Sequence, residues 1–164
     1  PDRVRLLSVT SAIEMHDASI QEADGADLFI GAAAVADFRV SNAAREKIKK
    51  NAQPDLTLTL VENPDVIAAV CQLARRPTLV VGFAAETSDL LSHAREKRVK
   101  KGLDLVIAND VSHPHTSFGS DQNAVHLIGA LSEQHLALAS KQVIAEKIVS
   151  ILAERLSEPA AASS

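Results

Sequence analysis

Cysteine and aromatic residues are what this chain most conspicuously lacks. It has one cysteine, Cys71, no Trp, no Tyr and four Phe. A single cysteine excludes a disulfide scaffold or a cysteine-built zinc site within one chain, and it fits a reducing, cytoplasmic setting. With so few aromatics there is no platform on which a row of bases could stack. No run of about 18 apolar residues occurs, so no membrane span is expected. No charged, then apolar, then small-residue leader is present, so export is not expected either. Positive charge is also short: 17 Lys and Arg against 21 Asp and Glu give a net charge of -4. That removes any global electrostatic case for nucleic acid as a partner. What is present is ordinary for a globular protein, 46 % hydrophobic and 23 % charged over 164 residues. This is one domain's worth of chain, able to bury a core without staples.

Hydrophobic patterning reads as strands alternating with helices. Arg3–Val9 reads as a short strand. Ser11–Ala23 reads as a helix, opened by a capping box in which Ser11 precedes Glu14 by three residues. Ala26–Ala34 is a continuous apolar run of the kind buried on both faces. Leu56–Val61 alternates and predicts a half-exposed strand. Asn63 and Pro64 open a second helix, as N-cap and first residue, running to about Ala74. Thr78–Phe83 is a buried strand, Asp89–Lys101 a helix ended by Gly102, and Leu103–Asn109 another strand. A polar loop with Pro114 and Gly119 leads to a hairpin of Ala124–Gly129 and Gln134–Leu138. Lys141–Ser157 is the last helix, and 159–164 reads as a frayed tail. No internal repeat or interior linker is seen. The pattern predicts an α/β fold: a mostly parallel sheet, helices on both faces and a C-terminal antiparallel hairpin.

In such sheets ligands bind beyond the C-terminal ends of the strands, and unusual residues collect there. Gly31–Arg39 (GAAAVADFR) is small-residue chain that lets a ligand approach the backbone. Its Asp37 is suited to a sugar hydroxyl or a magnesium ion, or simply to capping a turn. Glu46–Asn51 (EKIKKN) is either a solvated basic loop or a flap whose lysine meets phosphate. Val81–Thr87 (VGFAAET) carries Phe83, which is either core or a stacking surface. In Arg95–Lys101 (REKRVKK), Lys97 and Lys101 stand four apart and share one helix face. They suit either a polyphosphate or merely the negative end of the helix dipole. His113 and His115 lack acidic or cysteine partners at ligand spacing and read as loop histidines. Cys71 reads as a small buried hydrophobe. The fingerprints G-x-G-x-x-G, G-x-x-x-x-G-K-[ST] and G-x-S-x-G are absent, against a standard dinucleotide fold, a P-loop enzyme and an α/β hydrolase.

Six segments together go further. AAVADFR (Ala33–Arg39), EKIKKN, ENPDVIA (Glu62–Ala68), VGFAAET, AREKRVKKGLDLVIANDV (Ala94–Val111) and FGSDQNA (Phe118–Ala124) resemble the phosphopantothenate–cysteine ligase family, in order and across nearly the whole chain. In bacteria this ligase is usually the C-terminal half of a bifunctional protein whose other half is a flavin-dependent decarboxylase. The resemblance implies a Rossmann-like, dimeric enzyme of coenzyme A biosynthesis, with 1–158 as the ligase domain. It implies CTP as co-substrate with Mg2+, and 4′-phosphopantothenate and L-cysteine as substrates, joined through an acyl-cytidylate.

The resemblance also implies roles. Asp37 would hold ribose or the metal, and Lys97 and Lys101 the triphosphate. Phe83 lies at the nucleotide. Gly31, Ala32 and Ala33, and Pro64, Asp65, Val66 and Ile67, would line the pocket through backbone groups, the second set at a helix N-terminus. Lys47 would assist cytidylyl transfer or amide formation, and Lys49 to Ala52 would belong to a flap excluding water. Family members also carry an upstream βα unit with a Gly-rich loop that supplies an asparagine to the site. It is missing from this sequence, so activity of this chain by itself is open. A CTP-binding module without catalysis is the alternative, and a nucleotide-dependent oxidoreductase a remoter one.

Overall fold

The computed structural model describes residues 3–44, 46–49, 55–86, 89–110 and 119–157. The loop histidines His113 and His115, the tail 159–164, Thr87, Phe118 and the flap positions 50–52 lie outside the described residues.

Eleven elements follow in the order α1 (Ala12–Ala23), β1 (Leu28–Gly31), β2 (Phe38–Val40), β3 (Leu60–Glu62), α2 (Val66–Cys71), β4 (Leu79–Glu86), α3 (Leu90–Lys101), β5 (Leu105–Asp110), β6 (Gln122–Gly129), β7 (Glu133–Ser140) and α4 (Lys141–Ser157). Five strands form one sheet in the order β1-β4-β5-β6-β7, and β2 and β3 form a separate antiparallel ribbon. Strands β1, β4 and β5 pair in parallel, β6 is antiparallel to both neighbours, and β7 therefore points the same way as the first three.

Side-chain alternation divides the core into two layers. Leu79, Val81, Leu105, Ile107, Val125 and Leu127 face α4, which presents Ile144, Ile148 and Leu152 at helical spacing. Val80, Val106, Ala108 and Ile128 face the other way, against Ala23 of α1, Val70 of α2 and Ala94 of α3. The expected three-layer α/β fold, mostly parallel with a C-terminal hairpin, is what forms.

Local chemistry explains the ends. Ser11 Oγ accepts the Glu14 amide at 3.2 Å. Glu14 in turn accepts from the amide and hydroxyl of Thr10 at 2.7 and 2.8 Å, one residue earlier than the reciprocal box predicts. Gly102 ends α3 at φ 71, a left-handed conformation that costs a glycine little. Asp104 accepts from the Val80 amide at 2.7 Å and from Arg76, tying the start of β5 to the start of β4.

Four expectations are corrected. Arg3–Val9 forms no strand, and its Leu6 is 86 % exposed: strand-like residues without a paired neighbour have nothing to donate to. The apolar run Ala26–Ala34 contributes only Leu28–Gly31, as an edge strand with Ile30 42 % exposed, because it pairs with β4 alone. Of Leu56–Val61, only Leu60 and Val61 lie in β3. The second helix is capped by Asp65, not Asn63, and stops at Cys71, because Asn63 is occupied elsewhere.

Candidate functional site

The C-terminal ends of β1 and β4 meet at a pair of glycines, Gly31 opposite Gly82. A Cβ on Gly31 would stand 2.8 Å from Ile67 Cδ1, and one on Gly82 would stand 3.1 Å from the same atom. Their bare backbones thus let the first turn of α2 settle directly on the sheet. Gly82 went unrecognised as half of this pair, because register is not visible in a single strand.

Beyond Gly31 the chain leaves the sheet, with Ala32 and Ala33 exposed, and enters the ribbon. Asn63 clasps that departure. Its Nδ2 donates to the Ala36 carbonyl at 2.8 Å and its amide to the Asp37 carbonyl at 2.8 Å. Arg39 donates to Asn63 Oδ1 at 3.3 Å and to the Glu62 carbonyl. Neither Asn63 nor Arg39 was singled out from the sequence as a site-forming residue. The Asn-Pro pair was the available signal, and it marks the anchor of this loop. The Asp37 carboxylate is exposed, and no described side chain pairs with it. Pro64 and Val66 are half-buried around the clasp.

The two lysines reach the same crevice from α3. Lys97 Nζ donates to the Phe83 carbonyl at 2.6 Å. Lys101 Nζ lies 2.9 Å from Asp65 Oδ2. The other oxygen of Asp65 caps α2 by accepting the Ala68 amide at 3.2 Å. Partial burial raises the pKa of this carboxyl, but the Lys101 hydrogen bond, the Ala68 amide and the charges of Lys101 and Lys97 outweigh it, leaving the group below its ordinary value. The phenyl ring of Phe83 packs against the core layer under α4, while its carbonyl serves the lysine.

So Gly31, Asp65, Ile67, Phe83, Lys97 and Lys101 converge. Lys47 does not join them. It is exposed on residues 46–49, and no described hydrogen bond or ion pair ties it down. Asn109, near the end of β5, has a buried Oδ1 without a described partner. Cys71 is half-buried, and desolvation pushes its thiol up, away from reactivity. No group of three potential metal ligands occurs among the described residues. No described helix is long and apolar enough to cross a membrane. A shallow open groove of about 550 Å3 lies at the other end of the sheet, beside Arg98, Asp104 and Arg155, and holds none of the predicted residues.

Parallel strand ends on which α2 rests over two glycines, with Lys97 and Lys101 of α3 reaching the chain alongside, define an α/β domain whose strand-end face is cationic. Comparison with known proteins makes this specific. The family model for the DNA/pantothenate metabolism flavoprotein C-terminal domain matches residues 1–156, and the chain belongs to that family. It is 41 % identical over 160 residues to the coenzyme A biosynthesis bifunctional protein CoaBC of Escherichia coli K12, covering 96 % of this chain and 39 % of that protein. The CoaBC of Borreliella burgdorferi is 37 % identical over 153 residues, or 93 % of this chain and 38 % of its own length. The chain thus spans about two fifths of these curated relatives. A solved C-terminal domain of CoaBC superposes with a TM-score of 0.70 at 26 % identity, over 92 % of this chain and 67 % of that one. The Streptococcus pneumoniae DNA/pantothenate metabolism flavoprotein shares the fold, with a TM-score of 0.70 at 18 % identity over 90 % and 71 % of the two chains.

Proposed function

We propose that this protein is the ligase module of coenzyme A biosynthesis, joining 4′-phosphopantothenate to L-cysteine at the expense of CTP. The observation that carries the reading is that Lys97 and Lys101 reach the strand end of β4 and the start of α2, in a chain whose relatives are CoaBC proteins. Paired ammonium groups on a rigid helix suit a triphosphate.

The chemistry is balanced in two steps. A carboxylate oxygen of phosphopantothenate attacks the α-phosphorus of CTP, and pyrophosphate leaves. The cysteine amine then attacks the acyl carbon, CMP leaves, and the amine loses a proton. Lys97 and Lys101 hold the phosphates, and the Gly31–Ala33 and Pro64–Ile67 backbones line the nucleotide. Lys47, on its exposed segment, moves over the reacting phosphorus and assists the transfer. The exposed Asp37 carboxylate would hold a magnesium ion together with substrate phosphates. When bound, the ion neutralises phosphate charge.

A second copy of the chain is the proposed covering of the ribbon, where Phe38 and Leu60, with Leu58 just before β3, stand exposed.

The test is calorimetric titration with CTP and with ATP in the presence of magnesium, followed by turnover with phosphopantothenate and cysteine. Binding of CTP in preference to ATP, pyrophosphate release on adding phosphopantothenate, and CMP release on adding cysteine are expected. CTP binding without turnover would reduce the reading to a nucleotide-binding module, and binding of neither nucleotide would overturn it.

A further inference from the structure

We infer that the Asp65 carboxylate is an internal counter-anion of the phosphate site: it holds Lys101 while the site is empty and must yield it when a polyphosphate enters. The inference rests on the nucleotide reading above and adds a residue that tunes affinity against the ligand.

Three observations carry it. First, the two oxygens of Asp65 have separate duties, one capping α2 through the Ala68 amide and the other taking Lys101 at 2.9 Å. The helix needs only the first, so the ion pair can break without uncapping it. Second, the pair is accessible, with side chains 28 % exposed at Lys101 and 45 % at Asp65. An ion pair so open to water is weakly held and exchanges readily for a stronger anion. Third, Lys97, one turn earlier on α3, also bears electrostatically on this carboxylate. Lys97 also donates to the Phe83 carbonyl at 2.6 Å. Asp65 therefore stands between two ammonium groups, where negative charge of a ligand is expected to settle. A polyphosphate gains both lysines but is repelled by the carboxylate. The penalty grows with ligand charge, so Asp65 narrows the gap between CTP and its less charged products.

The test is Asp65→Asn, which keeps the cap and removes the charge, because Asn caps as well as Asp. CTP and inorganic tripolyphosphate are titrated at low and high salt, with CMP as comparison. The expected result is tighter binding of both triphosphates by about two- to fivefold, the range an exposed ion pair is worth. The gain should be smaller for CMP, should shrink at high salt, and should vanish when Lys101→Ala is combined with it. Asp65→Ser, another capping residue, should behave alike if Asp65→Asn folds poorly. Unchanged or weaker triphosphate binding in both variants, or a gain that survives in Lys101→Ala, overturns the inference while CTP binding by the parent protein keeps the nucleotide reading. If the parent protein binds neither CTP nor tripolyphosphate, reading and inference fall together.

Discussion

The five-stranded sandwich and the two-stranded ribbon are built on opposite principles. In the sandwich, Leu105, Val106, Ile107 and Leu127 are fully buried, and both sheet faces are covered by helices. In the ribbon, Phe38 is 54 % exposed and Leu60 is 55 % exposed, and each strand has three residues. The sandwich carries Lys97 and Lys101, and the chain flanking the ribbon strands in sequence carries Asp37 and Lys47. The Asn63 clasp fixes the base of the ribbon, where the chain arrives from β1 and departs for α2. Close packing thus resides in one region, and exposed apolar chain in the other. That division is a familiar consequence of local stability following local packing.

The sharpest way to break this comparison is a pair of core and ribbon substitutions. Ile107→Ala should cost about 2–5 kcal/mol, read as a fall in denaturant midpoint. Leu60→Ser should change the monomer by no more than about 0.5 kcal/mol. If the ribbon is covered by a second copy, Leu60→Ser should instead shift the dimer–monomer equilibrium in sedimentation experiments.

Next in size is Lys47→Gln. Turnover should fall about a hundredfold or more, with CTP affinity little changed, because an electrostatic group acting on developing charge is felt in kcat. Equal losses in both would make Lys47 a ground-state binding residue. Lys97→Ala should weaken CTP by about tenfold while leaving CMP nearly untouched, as expected for one charge-assisted bond to the outer phosphates. Equal loss for CMP would make its bond to Phe83 structural.

Asn63→Ala should cost about 1 kcal/mol, since it removes the side-chain bonds to Ala36 and Arg39 while leaving the Asn63 amide bond to Asp37. Hydrogen exchange should quicken in the ribbon and stay slow in β5. The smallest effect is with pH. The Asp65 carboxyl sits below its ordinary value in the folded chain, so its contribution is present above the unfolded carboxylate range and is lost as the pH falls through it. The parent protein should therefore lose more Tm than Asp65→Asn does between about pH 5 and about pH 3.

Much of the sandwich was legible because its signals are local. Ser11 before Glu14 marked the start of α1, Gly102 the end of α3, and the apolar spacing of Ile144, Ile148 and Leu152 spanned α4 from Lys141 to Ser157. The ribbon was not legible. Leu56–Val61 alternates well, yet only its last two residues lie in the three-residue strand that pairs with Phe38–Val40. Arg3–Val9 has strand composition but pairs with no strand among the described residues, although its Arg5 meets Glu22 of α1. Strand formation depends on what lies alongside, and composition alone does not supply a neighbour. Asn63 misled for a related reason: its side chain suits a helix cap equally well, but a carbonyl 27 positions away claimed it.

By itself the sequence determined the α/β class, where α1, α3 and α4 begin and end, and that Lys97 and Lys101 share a face. These follow from hydrogen bonds and spacings within a few residues. Tertiary structure alone decided that Gly31 lies opposite Gly82, that Ile67 rests upon both, and that Lys101 meets Asp65. Such contacts join residues tens of positions apart, and they exist only once the sheet has set its register.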